Sequence, residues 1–190
     1  NGIDLDRYRH GQRNATRERF GIKPDDTLLL FVGSGWERKG LRFVLRAFHR
    51  LKAPRVKLLV VGKGRPPFAV PHGAIFAGPM DDVENAYAAA DLLLFLPIYE
   101  PSSNVVAEAL VSDLPVITSS LNGASEIINP RKTGTVIADP RDTDAVADAI
   151  RYWILQRGRA EMPPKHELSL ERNVEETLAV LELAARERQR

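Results

Sequence analysis

Cysteine is absent from all 190 residues, so disulfides and thiolate chemistry are excluded. That absence suits a reducing compartment, and a cytoplasmic location is expected. No apolar run approaches the ~20 residues that a membrane-spanning helix needs, and no signal peptide is visible. Histidine is scarce. His10, His49, His72 and His166 are too scattered to read as a metal cluster, so they are taken as surface or structural residues. No Ser-His-Asp or H-E-x-x-H arrangement appears, and there is neither a Walker loop nor a G-x-G-x-x-G fingerprint. Charge of one sign is lacking too: 27 Lys and Arg stand against 25 Asp and Glu, a net charge of +2. With acidic residues spread along the chain, no nucleic-acid partner is expected, despite a pI near 9.0. Internal repeats and low-complexity tracts are also missing.

What remains is an ordinary globular composition, 44% hydrophobic and 27% charged, in a length that fits one domain with a proper core. The chain begins at Asn1 and not at Met, which raises the expectation of a piece of a longer protein.

Short apolar runs rich in β-formers alternate with amphipathic stretches. Thr27–Val32, Val56–Val61, Ala74–Ala77, Leu92–Leu96, Pro115–Thr118 and Thr135–Ile137 read as strands. Leu41–Leu51, Val83–Ala90, Thr143–Leu155 and Ser169–Ala185 read as helices, and Thr16–Phe20 as a single turn ended by Gly21. The last residues, from Ala185 onward, are expected to fray. Strands alternating with helices imply a Rossmann-like parallel sheet with helices on both faces. Ligands of such sheets sit beyond the carboxyl ends of the strands. The loops beginning at Gly33, Gly78, Glu100 and Ser119 all follow strands and must therefore share one rim.

The stretch Ile98-Tyr-Glu-Pro-Ser-Ser-Asn-Val-Val-Ala-Glu108-Ala-Leu carries the most chemistry. It leaves the buried run ending at Pro97 and opens a helix with Ser102 or Ser103 as N-cap. With Ser103 as cap, Val105, Val106, Ala109 and Leu110 form the stripe that packs on the sheet. Asn104 and Glu108 then share another face, and Glu108 leans back toward the loop that carries Glu100. Free N–H groups at the helix start favour an anion. On residues alone, Glu100 and Glu108 read either as a polar site or as solvated surface carboxylates. Gly33-Ser-Gly-Trp-Glu-Arg38-Lys39-Gly follows the first strand, and its glycines and cations suit a phosphate cradle. Arg38 and Lys39 can equally be plain surface residues, and Trp36 can stack on a ligand or simply pack the loop.

The Glu100–Glu108 spacing resembles the E-x7-E of retaining GT-B glycosyltransferases of family 4. Its continuation, Glu-Ala-Leu-Val-Ser-Asp-Leu-Pro-Val-Ile-Thr, is similar to that family's E-A-x-A-x-G-x-P-V-I. Asn122-Gly123-Ala-Ser-Glu126-Ile-Ile resembles its G-G-x-x-E-I-I, and Thr133-Gly134-Thr-Val its G-x-x-V. Asn1-Gly-Ile-Asp resembles the segment joining the two halves of these enzymes. The resemblance covers roughly Asn1 to Asp139. Two departures stand out: Ser34 occupies the place of the usual arginine, and residues 65–73, with three prolines, are shorter than the usual crossover helix.

The resemblance implies the nucleotide-sugar-binding C-terminal half of such an enzyme, akin to bacterial lipopolysaccharide core glucosyltransferases. Residues 1–190 would be one donor-binding domain, with 1–15 as an interdomain hinge and 167–190 as a C-terminal helix; the N-terminal acceptor domain would be absent. A UDP-sugar is the first expected donor. By resemblance Glu108 would hold the ribose hydroxyls, and Glu100 would lie at the transferred sugar. Lys39, Arg38, Gly33 and the amides of Ser103, Asn104 and Val105 would take the diphosphate, and Met80 would flank the base. No cofactor and no metal is implied. Peripheral contact of the full-length enzyme with the inner face of the membrane is a further implied partnership. The alternatives are a UDP-sugar 2-epimerase-like isomerase and a nucleotide-sugar-binding module without catalysis.

Overall fold

The computed structural model describes residues 2–65 and 67–187. Asn1, at the head of the hinge-like segment, and the last three residues of the tail expected to fray lie outside that range. Six parallel strands form one sheet in the order β3-β2-β1-β4-β5-β6. They are β1 (Thr27–Val32), β2 (Val56–Val61), β3 (Ala74–Gly78), β4 (Leu92–Phe95), β5 (Val116–Ser119) and β6 (Gly134–Ile137). The central strands are unbroken apolar runs because both their faces are covered. Leu28 to Phe31, Leu58 to Val60 and Leu93 to Leu96 have no exposed surface.

The chain runs outward from β1 through β2 to β3, then returns to the middle and runs the other way from β4 to β6. Helix α3 (Leu41–Leu51) and helix α6 (Thr143–Leu155) pack together as one layer. The other layer contains α1 (Leu5–Arg9), α2 (Arg13–Arg19), α4 (Val83–Ala89) and α5 (Asn104–Val111). The reversal falls between β1 and β4, whose register pairs Leu29 with Leu92. A crevice beyond the carboxyl ends of these two strands is the place a doubly wound sheet offers to a ligand.

Several local expectations change. Leu5–Arg9 forms a helix that was not among those expected. It is too short to show a periodicity, and the Asp4 carboxylate caps it by accepting from Asp6 N at 3.1 Å and Arg7 N at 3.3 Å. Helix α2 begins at Arg13, earlier than the turn read at Thr16. The buried face of α5 is wider than a four-residue stripe. Ala107 and Val111 are buried while Val105 is only half-buried, because this short helix is enclosed by α1 and α4 as well as by the sheet. Two 3-10 segments, Gly123–Ile127 and Lys165–Leu168, were not foreseen. The last helix, α7 (Leu170–Glu187), remains helical past Ala185.

At the amino ends of the strands one carboxylate organises the packing. Asp91 Oδ2 accepts from Leu28 N at 2.8 Å, and Oδ1 accepts from Arg13 Nη2 at 2.7 Å. Arg17 lies 3.4 Å from Oδ2, and Arg157 lies 3.0 Å from Oδ1. The remaining donors of Arg13 and Arg17 go to carbonyls at the end of α4 and at Lys23 and Asp26. Asp91→Ala should therefore strand a buried guanidinium and destabilise the fold by about 3–5 kcal/mol. The exposed pair between Asp113 and Lys165 is the comparison, and Asp113→Ala should cost under ~1 kcal/mol. Urea denaturation of the two variants checks this, and equal losses would show that the arginine cluster is not a keystone.

Candidate functional site

The loop after β1 is shaped by close backbone contact. Gly40 has φ 79°, and a Cβ there would lie 1.7 Å from the Leu96 carbonyl oxygen at the end of β4. Ile98 N donates to the Arg38 carbonyl at 3.0 Å, so the loops after β1 and β4 are fastened together. Gly62 allows a similar approach on the other side, since a Cβ there would meet the Gly33 carbonyl oxygen at 2.0 Å. Ser34, at the position of the missing arginine, accepts from Lys63 N at 2.9 Å. It joins the loops after β1 and β2 and brings no charge. Trp36 is buried, edge-on to Phe76 at 6.4 Å and 6.2 Å from Phe31, so it packs the loop.

The loop after β4 is tied in turn to the one after β5. Glu100 N donates to the Leu121 carbonyl at 3.1 Å, and Gly123 N donates to the Glu100 carbonyl at 2.8 Å. Asn122 is wholly buried; its Nδ2 donates to Thr118 Oγ1 at 3.0 Å and its Oδ1 accepts from Ala124 N at 3.1 Å. Ser119 Oγ donates to the Pro97 carbonyl at 2.6 Å. The loop after β3 joins through Gly62 N, which donates to the Gly78 carbonyl at 3.0 Å. The four loops expected on one rim are thus linked there. Met80, half-buried against the core, sits two residues beyond Gly78.

This stitching brings Arg38, Lys39 and Glu100 together at the topological switch. Glu100 is 8% exposed, and its Oε2 accepts from Arg38 Nη1 at 2.9 Å and from Lys39 Nζ. The Lys39 ammonium also stands 5.3 Å from the centroid of the Phe95 ring, a cation–π placement. Two cations converging on one carboxylate leave a net positive charge beside the start of α5. Ser103 is the N-cap residue by position, but its side chain makes no capping bond. Its buried Oγ has no hydrogen-bond partner among the described residues. Asn104 is exposed on the first turn. A cavity of about 380 Å³ opens beside this helix start, lined in part by Ser103, Asn104, Gly123 and Glu126.

Glu108 has a partner on α4. Its Oε2 accepts from the Tyr87 hydroxyl of α4 at 2.6 Å, and Tyr87 meets Tyr8 of α1 edge-on at 5.7 Å. Arg7 and Glu84, 3.1 Å apart, close the same contact between α1 and α4. The two glutamates thus belong to separate networks, and the tyrosine partner pulls Glu108 toward α4. Sequence reasoning missed Tyr87 and Tyr8 because a tyrosine on the apolar face of a short helix reads as core. Asn122 stood out in the sequence only as part of a motif, three residues beyond the end of β5.

Residues 26–156 match the family described as Glycosyl transferases group 1. The chain belongs to that family. The lipopolysaccharide glucosyltransferase WaaG of Escherichia coli K12 is 32% identical over 155 residues, covering 76% of this chain and 41% of WaaG. An uncharacterized glycosyltransferase of Methanocaldococcus jannaschii, MJ1607, is 26% identical over 189 residues, covering 88% of this chain and 48% of the relative. This glycosyltransferase-family chain therefore spans under half the length of these relatives. The crystal structure of WaaG superposes with a TM-score of 0.73 at 32% identity, over 82% of this chain and 46% of WaaG. Anabaena HepE, solved in complex with UDP-glucose, shares the fold at a TM-score of 0.71 and 20% identity, over 81% of this chain and 46% of HepE. The six-stranded sheet is accordingly a Rossmann-like unit of the GT-B kind.

The tyrosine pair gives the site a pH signature. Burial first, and the Glu108 carboxylate second, push the ionisation of both Tyr8 and Tyr87 above the ordinary tyrosine value. The fold favours the neutral phenols, so above about pH 10 it binds more protons than the unfolded chain. The stabilisation is complete below that pH and is lost as pH rises through the raised values. Denaturation free energies measured across that range should fall more steeply for the wild type than for the Tyr8→Phe, Tyr87→Phe double variant. At neutral pH, Tyr87→Phe should cost about 1–2 kcal/mol through the lost hydrogen bond. Parallel pH slopes for the two proteins would refute the assignment.

Proposed function

We propose that this chain is the donor-binding half of a retaining glycosyltransferase of the family 4 kind. In this reading it binds a nucleotide sugar, with a UDP-hexose as the first choice, for transfer to a glycan, lipid or lipopolysaccharide acceptor held by a further domain. The observation that carries the proposal is the convergence of Arg38 and Lys39 on Glu100 at the switch between β1 and β4, beside the start of α5. WaaG's description as a lipopolysaccharide glucosyltransferase and HepE's complex with UDP-glucose support the donor class.

In the mechanism that follows, Lys39 and Arg38 neutralise the diphosphate as it departs, together with the amides of Ser103, Asn104 and Val105 at the helix start. Gly33 lets the backbone come close, and Met80 flanks the base. Glu100 lies at the face of the transferred sugar. Glu108 holds the ribose diol: Tyr87 occupies Oε2, and a carboxylate has further lone pairs for two hydroxyls. With protein cations and a helix start covering the charge, this scheme requires no metal.

The domain assignment belongs to the same proposal. Ile3 N donates to the Leu168 carbonyl at 2.9 Å, and Leu170 N donates to the Ile3 carbonyl at 3.0 Å. The hinge-like N-terminal segment and the start of α7 thus adjoin, as two connections to one further domain would. The chain alone should bind donor and show no transfer.

Calorimetry with UDP and with uridine, in EDTA and at two salt concentrations, tests the reading. Lys39→Ala should weaken UDP by about 1.5–3 kcal/mol and leave uridine unchanged. Arg38 is half-exposed, so Arg38→Ala should cost under ~1 kcal/mol and fade with salt. Glu100→Gln removes an anion that competes for both cations and should tighten UDP modestly. Binding that appears only with added divalent metal would sink the metal-free site. Loss of UDP and uridine together would remove Lys39 from the diphosphate.

A further inference from the structure

The charges at the switch between β1 and β4 leave the site one cation short. Arg38 and Lys39 share one carboxylate, Glu100, so the three groups together carry a single positive charge. The start of α5 adds roughly half a charge more. The diphosphate of a nucleotide sugar carries two negative charges, and a charge left uncompensated away from water is costly.

A further cation stands on the loop after β2, which backbone contact presses against the loop after β1. Gly33 N donates to the Val61 carbonyl at 2.9 Å. A Cβ at Gly62 would meet the Gly33 carbonyl oxygen at 2.0 Å and the Trp36 ring at 2.8 Å. Lys63 N then donates to Ser34 Oγ at 2.9 Å, which fixes the Lys63 backbone to the loop that carries Arg38 and Lys39. The lysine is also available. Between Glu37 and Asp81 there is no Asp or Glu. Glu37 pairs with Arg42, and Glu100 is already shared by two cations. Lys63 is exposed and has no acidic partner among the described residues.

We propose that Lys63 is the third cation of the diphosphate site and that Ser34 is its positioning residue. This deepens the donor reading above and rests on it. Ser34 brings no charge of its own, but it anchors the loop that does. The four-carbon stem of a lysine lets its ammonium stay in water while the crevice is empty and fold over an arriving anion. With it, two net positive charges and a helix start face two negative ones. A lysine that only added to the general field would act as well from elsewhere on the same acid-free stretch. Arg46, exposed on α3, is the comparison for that case.

Calorimetric titration of the full chain with UDP and with uridine tests the proposal. Lys63→Ala should weaken UDP about tenfold at low salt and leave uridine unchanged, while Lys63→Arg should keep most of the affinity. Added salt should shrink the loss. Ser34→Ala should weaken UDP when Lys63 is present and not in the Lys63→Ala background, a non-additivity that a purely structural serine would not produce. Ser34→Thr should retain binding, and Arg46→Ala should change it little. Unchanged thermal melts would show that the variants are folded. If Lys39→Ala lowers UDP affinity and Lys63→Ala does not, this proposal falls and the donor reading stands. Equal losses from Lys63→Ala and Arg46→Ala overturn it in favour of a diffuse field, and additive losses from Ser34→Ala and Lys63→Ala remove Ser34 from its role. A wild-type chain that does not bind UDP overturns both readings together.

Discussion

The backbone contact between Gly40 and the end of β4 is the constraint on which the site depends. A side chain at position 40 would collide with the Leu96 carbonyl, and φ 79° is strained for any residue that has a Cβ. With glycine there, Arg38 accepts the Ile98 N–H, and the loops after β1 and β4 close on each other. Arg38 and Lys39 are neighbours in a turn; without the contact they would be two solvated cations. With it, they meet a nearly buried carboxylate in the crevice that strand order creates. Glu100 in turn is fixed by its bonds to Leu121 and Gly123, so three loops are positioned through backbone groups before any side-chain charge is counted.

The sheet has a second buried carboxylate that draws several cations, Asp91, and the contrast is instructive. Every donor that Arg13 and Arg17 direct inward there ends on a carbonyl or on the carboxylate, which closes the network. At Glu100 the Arg38 guanidinium is half in solvent, and the Lys39 ammonium is shared between a carboxylate and a ring face. A closed network resists rearrangement because any broken bond leaves a buried group unsatisfied. An open one can exchange partners with an incoming anion. The amino ends of the strands thus carry stability, and the carboxyl ends carry adaptable charge.

Strands β1 and β2 were legible to the residue and helices α3 and α6 nearly so, because long apolar runs and a clear 3.6-residue period leave little choice. Helix α1 was not legible, since five residues cannot display a period and only the Asp4 cap marks it. The rim was legible from topology, and Arg38, Lys39 and Glu100 met there. The partner of Glu108 was not. Helical lean says which way a side chain inclines and not which group it meets, and the buried Tyr87 phenol, 2.6 Å away, gave no signal from the apolar face of a short helix. One charge pattern was lost by averaging, since a net charge of +2 cannot report that 43 consecutive residues, 38 to 80, lack an acid.

The eight-residue spacing of the two glutamates thereby acquires a physical meaning. It places one carboxylate in the loop that β4 fixes and the other on the helix that follows, so each is answerable to a different part of the molecule. Glu100 is held by the loop after β1. Glu108 is held by Tyr87 of α4, which rests against Tyr8 of α1. The N-terminal segment enters the site's geometry through Tyr8 even though it supplies none of the rim loops. A ligand that engages both carboxylates must therefore bridge the switch-point loops and the α1–α4 layer.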